Sequence, residues 1–140
     1  MTNYNKQATD FLSKANATMK ITRVAIVDRF PNCDDYRTGN RWKYRIALQR
    51  NGKYYTFNFY DSINNYMEDK RPTKYDVLAS LEKSEPWGDA WDFAREYGYT
   101  IESREDFNKI ERIRKGCEKQ YRKLFDLFGA ELLEELQEIN

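Results

Sequence analysis

The chain has 140 residues, of which 34% are charged and 16% are aromatic, and its formal net charge is +1. A chain of this length is typical of one domain with one core, and the mixture of charged and aromatic residues indicates a folded protein rather than a disordered one. The near-neutral charge argues against a polybasic protein that holds nucleic acid by bulk charge alone, so an electrostatic partner must meet a local patch.

The start of the chain predicts a helix followed by a strand. Apolar residues recur at i, i+3, i+4 and i+7, which predicts an amphipathic helix over 5–15. These residues are Ala8, Phe11, Leu12 and Ala15. The β-branched and apolar residues that follow predict a strand over 19–30, and Pro31 begins a polar loop.

The strongest local pattern is Asn51-Gly52 between two runs of alternating apolar residues. This pair is typical of a type I′ hairpin turn, in which both central residues take a positive φ. Pairing Arg50 with Lys53 then fixes the register and places the large apolar residues on one face. The predicted pairs on that face are Leu48 with Tyr55, Ile46 with Phe57, and Tyr44 with Phe59.

The rest of the chain predicts helices. Thr73 with Asp76, and then Asp89, supply N-cap chemistry for two short helices, and Gly98 is placed to end the second. From 104 to 128, apolar residues recur every three or four positions, which predicts one long helix. We expect Gly129 to end it and a last helix to cover 131–139.

The predicted fold class is therefore α+β: an N-terminal helix, a three-stranded antiparallel sheet with its type I′ hairpin at Asn51-Gly52, and a helical C-terminal half. No internal repeat or low-complexity linker divides the chain, so we expect a single domain over 1–140. The alternative is a boundary near Pro72, with a helix-plus-sheet part over 1–71 and a helical part over 72–140.

The sequence offers little for catalysis. It contains no histidine, which removes the commonest general base and the usual zinc and iron sites. Asp61 with Glu68-Asp69-Lys70 resembles the acids and lysine of metal-dependent nucleases, but such nucleases hold these groups on rigid strands, whereas here they fall in a polar loop. We therefore predict no catalytic residue, no metal site and no cofactor.

Basic residues on the predicted long helix form the first candidate binding surface, which we call the basic ridge. At 100° per residue they cluster on the face opposite the apolar stripe. They are Lys109, Arg112, Lys115, Lys119, Arg122 and Lys123. The alternative is an ordinary solvated helix face, because a glutamate precedes three of them by four residues and can pair with each. Those pairs are Glu105 with Lys109, Glu111 with Lys115, and Glu118 with Arg122.

The face of the hairpin opposite its apolar residues is the second candidate surface. It combines Lys43 and Arg45 with Tyr54 and Tyr60. Aromatic rings stack on bases and cations hold phosphates in single-stranded nucleic acid, and the same residue types are frequent in protein-binding hot spots. The alternative is the solvated, or partly helix-covered, side of an antiparallel sheet.

Other single residues favour structural roles. We expect Trp87 and Trp91, one helical turn apart, in the core rather than at a contact surface. Cys33 and Cys117 match no metal or redox spacing, so reduced thiols in a cytosol are the simplest interpretation.

No apolar signal-peptide core and no run of roughly 18 apolar residues occurs, so we expect a cytoplasmic protein that does not span a membrane.

Several motifs are shared with a family that we recognise. They are Phe11-Leu12, Tyr55-Thr56-Phe57-Asn58-Phe59 with Ser62-Ile63, Pro72-Thr73-Lys74-Tyr75-Asp76-Val77-Leu78-Ala79, Phe93, Tyr97-Gly98-Tyr99, Ser103-Arg104 and Glu135-Leu136-Gln137-Glu138-Ile139. With them the chain resembles, over most of its length, small accessory proteins of bacteriophages and prophages of Firmicutes and gut bacteria. It departs at Tyr60, where a glycine is expected, and at Ala94, where a cysteine is common. The resemblance implies a phage accessory protein and supplies no catalytic residues.

These observations predict a protein that acts by binding. The leading hypothesis is a non-catalytic phage accessory protein that binds and inhibits a host factor, such as a host-defence effector of the CRISPR nuclease type, and it rests on analogy. The alternative is a nucleic-acid-binding accessory protein of phage replication or recombination. The expected partner is a host protein, a protein–nucleic-acid complex or nucleic acid itself, met in the cytoplasm of a bacterial host cell and not at a membrane.

Overall fold

A computed structural model of the chain describes residues 3–30, 39–60, 71–85 and 88–139. The described elements are α1 (Tyr4–Lys14), β1 (Ala17–Phe30), β2 (Gly39–Arg50), β3 (Lys53–Tyr60), α2 (Lys74–Lys83), α3 (Ala90–Tyr97) and α4 (Arg104–Ile139). The strands form one antiparallel sheet in the order β1-β2-β3. The fold is α+β, as the sequence predicts.

A left-handed residue joins the N-terminal helix to the first strand. The Asn3 side chain caps α1 by accepting a hydrogen bond from the backbone N–H of Lys6 at 3.0 Å. Asn16, with a φ of 57°, then turns the chain into β1, and asparagine tolerates this conformation better than most residues. The strand begins at Ala17, slightly before the range that the sequence predicts.

The hairpin has the predicted turn and the predicted register. Asn51 and Gly52 have φ values of 50° and 81°, the positive signs that a type I′ turn requires. Arg50 pairs with Lys53, and each later pair along β2 and β3 follows in step. Phe57 is buried between the sheet and the helices, which confirms the side of the hairpin assigned to the core.

The first strand is less regular than the hairpin. β1 pairs with β2 in step from Ala17 to Arg23, and the register then shifts twice, between Arg23 and Ala25 and between Ile26 and Asp28. Such shifts are β-bulges, which bend a strand and increase its twist. The alternation of residues between the two faces of the sheet is therefore regular only over the first half of β1.

Reciprocal capping boxes begin the two short helices. The Thr73 hydroxyl accepts the Asp76 N–H at 3.1 Å, and the Asp76 carboxylate accepts the Thr73 N–H at 2.9 Å. Asp89 and Asp92 make the same pair of bonds at the start of α3, and the Asp92 backbone N–H holds the pKa of the Asp89 carboxyl below its usual value. Gly98, with a φ of 75°, ends α3. These predicted helix boundaries are confirmed.

A glycine divides α4 into a long segment and a short C-terminal segment. Gly129 has a φ of 81° and a ψ of 169°, which no helical residue adopts. An L residue would be strained at this φ, whereas glycine is not. The predicted break at this position is confirmed.

One main core joins the sheet to α1, α2 and α4. Its largest fully buried side chains are Tyr44, Ile46, Leu48, Val77, Leu78, Leu81, Leu124, Leu127 and Leu136. Residues before and after Pro72 therefore contribute to the same core. A smaller cluster of Ala90, Phe93, Ala94 and Ile110 packs α3 against the first part of α4. Within the described ranges, no helix is long and apolar enough to cross a membrane.

Arg50 ties the hairpin to the ends of two helical segments. Its Nε donates to the Ala15 carbonyl at 2.7 Å, and its Nη1 donates to the Leu127 carbonyl at 3.0 Å. Both carbonyls lie where a helical segment ends, so they lack a helical partner of their own. The guanidinium therefore satisfies two such groups at once and complements the negative ends of the helix dipoles.

Candidate functional site

The face of the sheet that points away from the core is exposed or half-buried along β2, β3 and the first half of β1. The strand pairing places alternate residues on this side, and none of them is buried. They are Thr18, Lys20, Thr22, Lys43, Arg45, Ala47, Gln49, Tyr54, Thr56, Asn58 and Tyr60. We call this surface the open face. It includes all four residues that the sequence predicts for the hairpin surface, and no described helix covers it.

The open face combines positive charge with exposed aromatic rings. Lys20, Lys43 and Arg45 supply the charge, and none of the residues named for this face is acidic. Tyr54 is 61% exposed and Tyr60 is 46% exposed. The Lys43 ammonium lies 6.0 Å from the centroid of the Tyr60 ring, which is the outer limit of a cation–π contact. Large rings left in solvent beside cations are typical of a binding surface.

The first strand contributes residues that the sequence analysis missed. Thr18, Lys20 and Thr22 pair with residues of β2 on the open face, and they widen it by one strand. The available signal was the alternation of these polar residues with Met19 and Ile21, which pack against the main core. What the sequence did not show was that β1 lies beside β2 in a register that aligns the two polar sets.

Most of the basic ridge faces solvent on α4. Lys109, Arg112, Lys115, Lys119 and Arg122 are exposed. Arg122 pairs with Glu118, as the alternative interpretation requires. Among the described residues, the other four ridge cations make no ion pair within 4 Å. The ridge therefore keeps most of its charge available.

Arg114 pairs with two of the three glutamates predicted to pair with the ridge, and it shares Glu118 with Arg122. Its guanidinium contacts Glu111 at 2.6 Å and Glu118 at 3.3 Å, and its side chain is 17% exposed. The hydrogen bond between Arg114 and Glu111 lowers the pKa of the glutamate and raises the pKa of the arginine. Glu111 therefore forms its ion pair with Arg114, three residues along the helix, instead of with Lys115 as predicted.

Lys123 does not belong to the solvent-facing part of the ridge. It is half-buried, and its Nζ donates to the Thr56 carbonyl at 3.1 Å and lies 5.8 Å from the Phe57 ring centroid. α4 runs along the outer edge of β3, where backbone carbonyls have no neighbouring strand to bond. The predicted position of Lys123 opposite the apolar stripe is wrong, because a helical projection does not show which side meets a strand edge.

Two more side chains of α4 bond to the same strand. Gln120 accepts a hydrogen bond from the Asn58 backbone N–H at 3.1 Å. Asp126 accepts a hydrogen bond from the Tyr55 hydroxyl, which raises the pKa of Tyr55 and lowers the pKa of Asp126. α4 therefore closes the edge of β3 with polar side chains.

This contact makes the two candidate surfaces neighbours. Lys119 is adjacent to Gln120 and one turn before Lys123, and both of these residues bond to β3. The exposed side of the ridge consequently borders the open face along the β3 edge. The sequence alone does not show this apposition, because it depends on where α4 packs against the sheet.

One predicted core residue is at the surface. Trp91 is 53% exposed and lies against Phe107 with ring centroids 5.9 Å apart, so its expected burial is wrong. The buried side of α3 is filled by Phe93 and Ala94, and Trp91 is one position away from that stripe. Trp87 lies outside the described residues.

The described residues hold no evident reactive centre. Cys117 is a free, half-buried thiol whose pKa is raised by burial, which makes it a poor nucleophile. In the described ranges, no group of three His, Cys, Asp or Glu side chains is placed to hold a metal ion. Cys33 and the nuclease-like residues Asp61, Glu68, Asp69 and Lys70 lie outside those ranges.

Comparisons with models of protein families, with curated proteins and with solved structures match nothing to this chain. The resemblance to phage accessory proteins and the absence of catalysis therefore stay predictions.

Proposed function

We propose that this protein acts by binding, without catalysis, and that it holds single-stranded nucleic acid on the open face. The observation that carries the proposal is a solvent-exposed sheet surface with three cations, two exposed tyrosines and no acidic residue among those named. This function is the second of the two that the sequence suggests, a nucleic-acid-binding accessory protein.

The tyrosines explain why the ligand is single-stranded. Tyr54 and Tyr60 lie on the same face of β3, about 20 Å apart at the rise of an extended strand. An unpaired base can stack on each exposed ring, and such a contact contributes about 1–3 kcal/mol with little dependence on sequence. In a duplex the faces of the bases are covered by their neighbours, so the same rings would find no partner.

The cations provide contacts to phosphates. Lys43 and Arg45 lie on β2 between the tyrosine-bearing strand and Lys20 on β1. A nucleic-acid strand along β3 would therefore have positive charge on one flank from the open face and on the other from the ridge. Because the residues named for the open face include three cations, binding of a polyanion there should weaken as salt concentration rises.

The test is fluorescence anisotropy with labelled single-stranded DNA and RNA of about 20 nucleotides at about 50 mM salt. Replacing Tyr54 and Tyr60 together with alanine should weaken binding at least about tenfold, because two stacking contacts are lost. Tyr4→Ala is the matched control: Tyr4 is 49% exposed but lies on α1, where its ring stacks on Tyr75. That variant should bind like the unmodified protein, and a DNA duplex of the same length should bind more weakly than either single strand.

Two results would count against the proposal. One is the absence of binding by single strands of any base composition at low salt. The other is an equal loss of affinity in Tyr4→Ala and in the double tyrosine variant, which would show that the open face is not the surface involved.

A second candidate function is the leading hypothesis from the sequence, a phage accessory protein that inhibits a host factor such as a CRISPR nuclease. It is supported by the resemblance and by four ridge cations that have no ion-pair partner among the described residues, which suits an acidic protein surface. Capture of a host protein from nuclease-treated lysate, followed by its identification, tests it. Loss of that capture on neutralising Arg112, Lys115 and Lys119, but not on removing Tyr54 and Tyr60, would favour this function over the first.

A further inference from the structure

A cleft beside the open face separates the main core from the smaller one. It consists of two cavities of about 460 and 370 Å³, a size common among small-ligand sites. The cavities share Ser80, Ser84, Ile113 and Cys117 as lining residues. The first cavity reaches the end of β3 at Asn58, Phe59 and Tyr60, and the second reaches the rings of Phe93, Tyr97 and Tyr99.

Among the described residues that line this cleft, most are aromatic or polar and Lys83 is the one with a charge. The Ser84 hydroxyl donates to the Leu81 carbonyl at 2.6 Å, which leaves its oxygen as an acceptor. Gln120 uses its oxygen to accept the Asn58 N–H, which leaves its NH₂ group as a donor. Donors and acceptors of this kind between aromatic walls suit a neutral, planar heteroaromatic ring.

An exposed glycine forms part of the lining of the cleft. Gly116 lines the first cavity from the middle of α4, where glycine weakens a helix relative to alanine. A Cβ at this position would meet no heavy atom within 4 Å, and the backbone φ is not positive. Neither packing nor backbone conformation therefore requires the glycine, and a longer side chain at this exposed position would start in open space beside the cavity.

We propose that this cleft is a nucleobase pocket that takes one base from a single strand lying on the open face. Tyr60 provides the connection, because its side chain is on the open face and the same residue lines the first cavity at the end of β3. A strand that stacks on Tyr60 can turn one base over the β3 edge into the cleft, as proteins do when they read an unstacked base. The source of the base rests on the proposed function, whereas the pocket itself can be tested without it.

The direct test uses Cys117 as a reporter of occupancy. In a Cys33→Ser variant, Cys117 is the sole thiol, and its rate of alkylation by iodoacetamide can be followed by mass spectrometry. Millimolar adenosine or uridine 5′-monophosphate should slow the reaction at least about threefold, because a bound base covers the thiol. Ribose 5-phosphate, which lacks the base, should not slow it. Equal alkylation rates with nucleotide and with ribose 5-phosphate would contradict the proposal that the cleft binds a base.

The second test fills the cleft. Gly116→Leu should raise the thermal midpoint or leave it unchanged, because leucine favours a helix interior. It should also remove the protection of Cys117 by nucleotide and weaken the binding of a single strand about tenfold. Asn108→Leu is the control, since it adds the same side chain to an exposed position of the same helix. If Gly116→Leu does not fold, the effect of nucleotides on Cys117 alkylation in the Cys33→Ser variant is the deciding test of the pocket.

The two proposals fail in different ways. Binding of single strands without nucleotide-specific protection of Cys117, and without an effect of Gly116→Leu, overturns the pocket and leaves the open face in place. Protection of Cys117 by nucleotides without binding of single strands supports the pocket and overturns the role of the open face.

Discussion

The two faces of the sheet contain alternate residues of the same strands, and they differ in almost every property. On the covered face, Tyr44, Ile46 and Leu48 are fully buried beneath helices. On the open face no named residue is buried, although Tyr54 and Tyr60 are as large as the side chains of the core. The rings of the covered face hold the fold together, whereas those of the open face can be removed without opening a cavity and are available to a ligand.

The cations also divide into a group that stabilises the fold and a group that lies on the open face. Arg50 and Lys123 donate to backbone carbonyls at the ends of helical segments and along the β3 edge. Lys43 and Arg45 are on the open face, where a change of side chain leaves no buried group without a partner. Matched substitutions in these two groups of cations therefore test whether stability and binding depend on different residues.

The largest expected effect on stability is at Phe57, which is 2% exposed on the covered face. Phe57→Ala should lower the free energy of unfolding by about 3–5 kcal/mol, because it leaves a cavity between the hairpin and α4. Urea denaturation measures this, with Thr56→Ala on the open face as the neighbouring control, for which we expect about 0.5 kcal/mol or less. A loss below about 1 kcal/mol at Phe57 would mean that the covered face has been misassigned.

A smaller effect is expected at Arg50. Arg50→Met keeps most of the apolar stem but removes both hydrogen bonds to the Ala15 and Leu127 carbonyls, so it should cost about 2 kcal/mol. Arg45→Met is the matched change on the open face and should alter stability by about 0.5 kcal/mol or less. Equal unfolding midpoints for the two variants would show that Arg50 does not secure the helix ends.

The parts of the fold that the sequence predicts are those set by local chemistry. Asn51-Gly52 determines the hairpin register, because both positions need a positive φ and the turn length fixes every later pair. Thr73 and Asp89 mark helix starts through bonds to residues three positions on, and Gly129 marks a break through its own backbone. Each of these signals is complete within a few residues.

The parts that the sequence did not predict depend on distant neighbours. Lys123 is drawn to β3, and Lys20 joins the open face, because of where α4 and β1 pack. Trp91 is exposed because smaller neighbours fill the buried side of its helix. Apart from Gly116 within a helix, the sequence gives no local sign of the cleft. The cleft forms only where three helices and the edge of β3 come together.

The smallest expected effect on stability is at the ridge. Arg112, Lys115 and Lys119 are exposed and, within the described residues, have no ion-pair partner, so changing all three to glutamine should cost no more than about 1 kcal/mol. Arg114→Gln is the control on the same helix, because Arg114 is mostly buried and holds two glutamates. That single change should lower the unfolding midpoint more than the triple change does.

The triple variant also shows whether the ridge contacts the ligand or only adds to the positive field around it. Each phosphate contact to a single strand contributes about 0.7 to the slope of log affinity against log salt. Loss of three direct contacts should reduce that slope by about 2, whereas loss of a distant field should lower affinity at low salt with little change in slope. Because Lys119 borders the β3 edge through its neighbours Gln120 and Lys123, we expect the slope to fall. An unchanged slope with unchanged affinity would restrict the nucleic-acid contact to the open face and leave the ridge to a different partner.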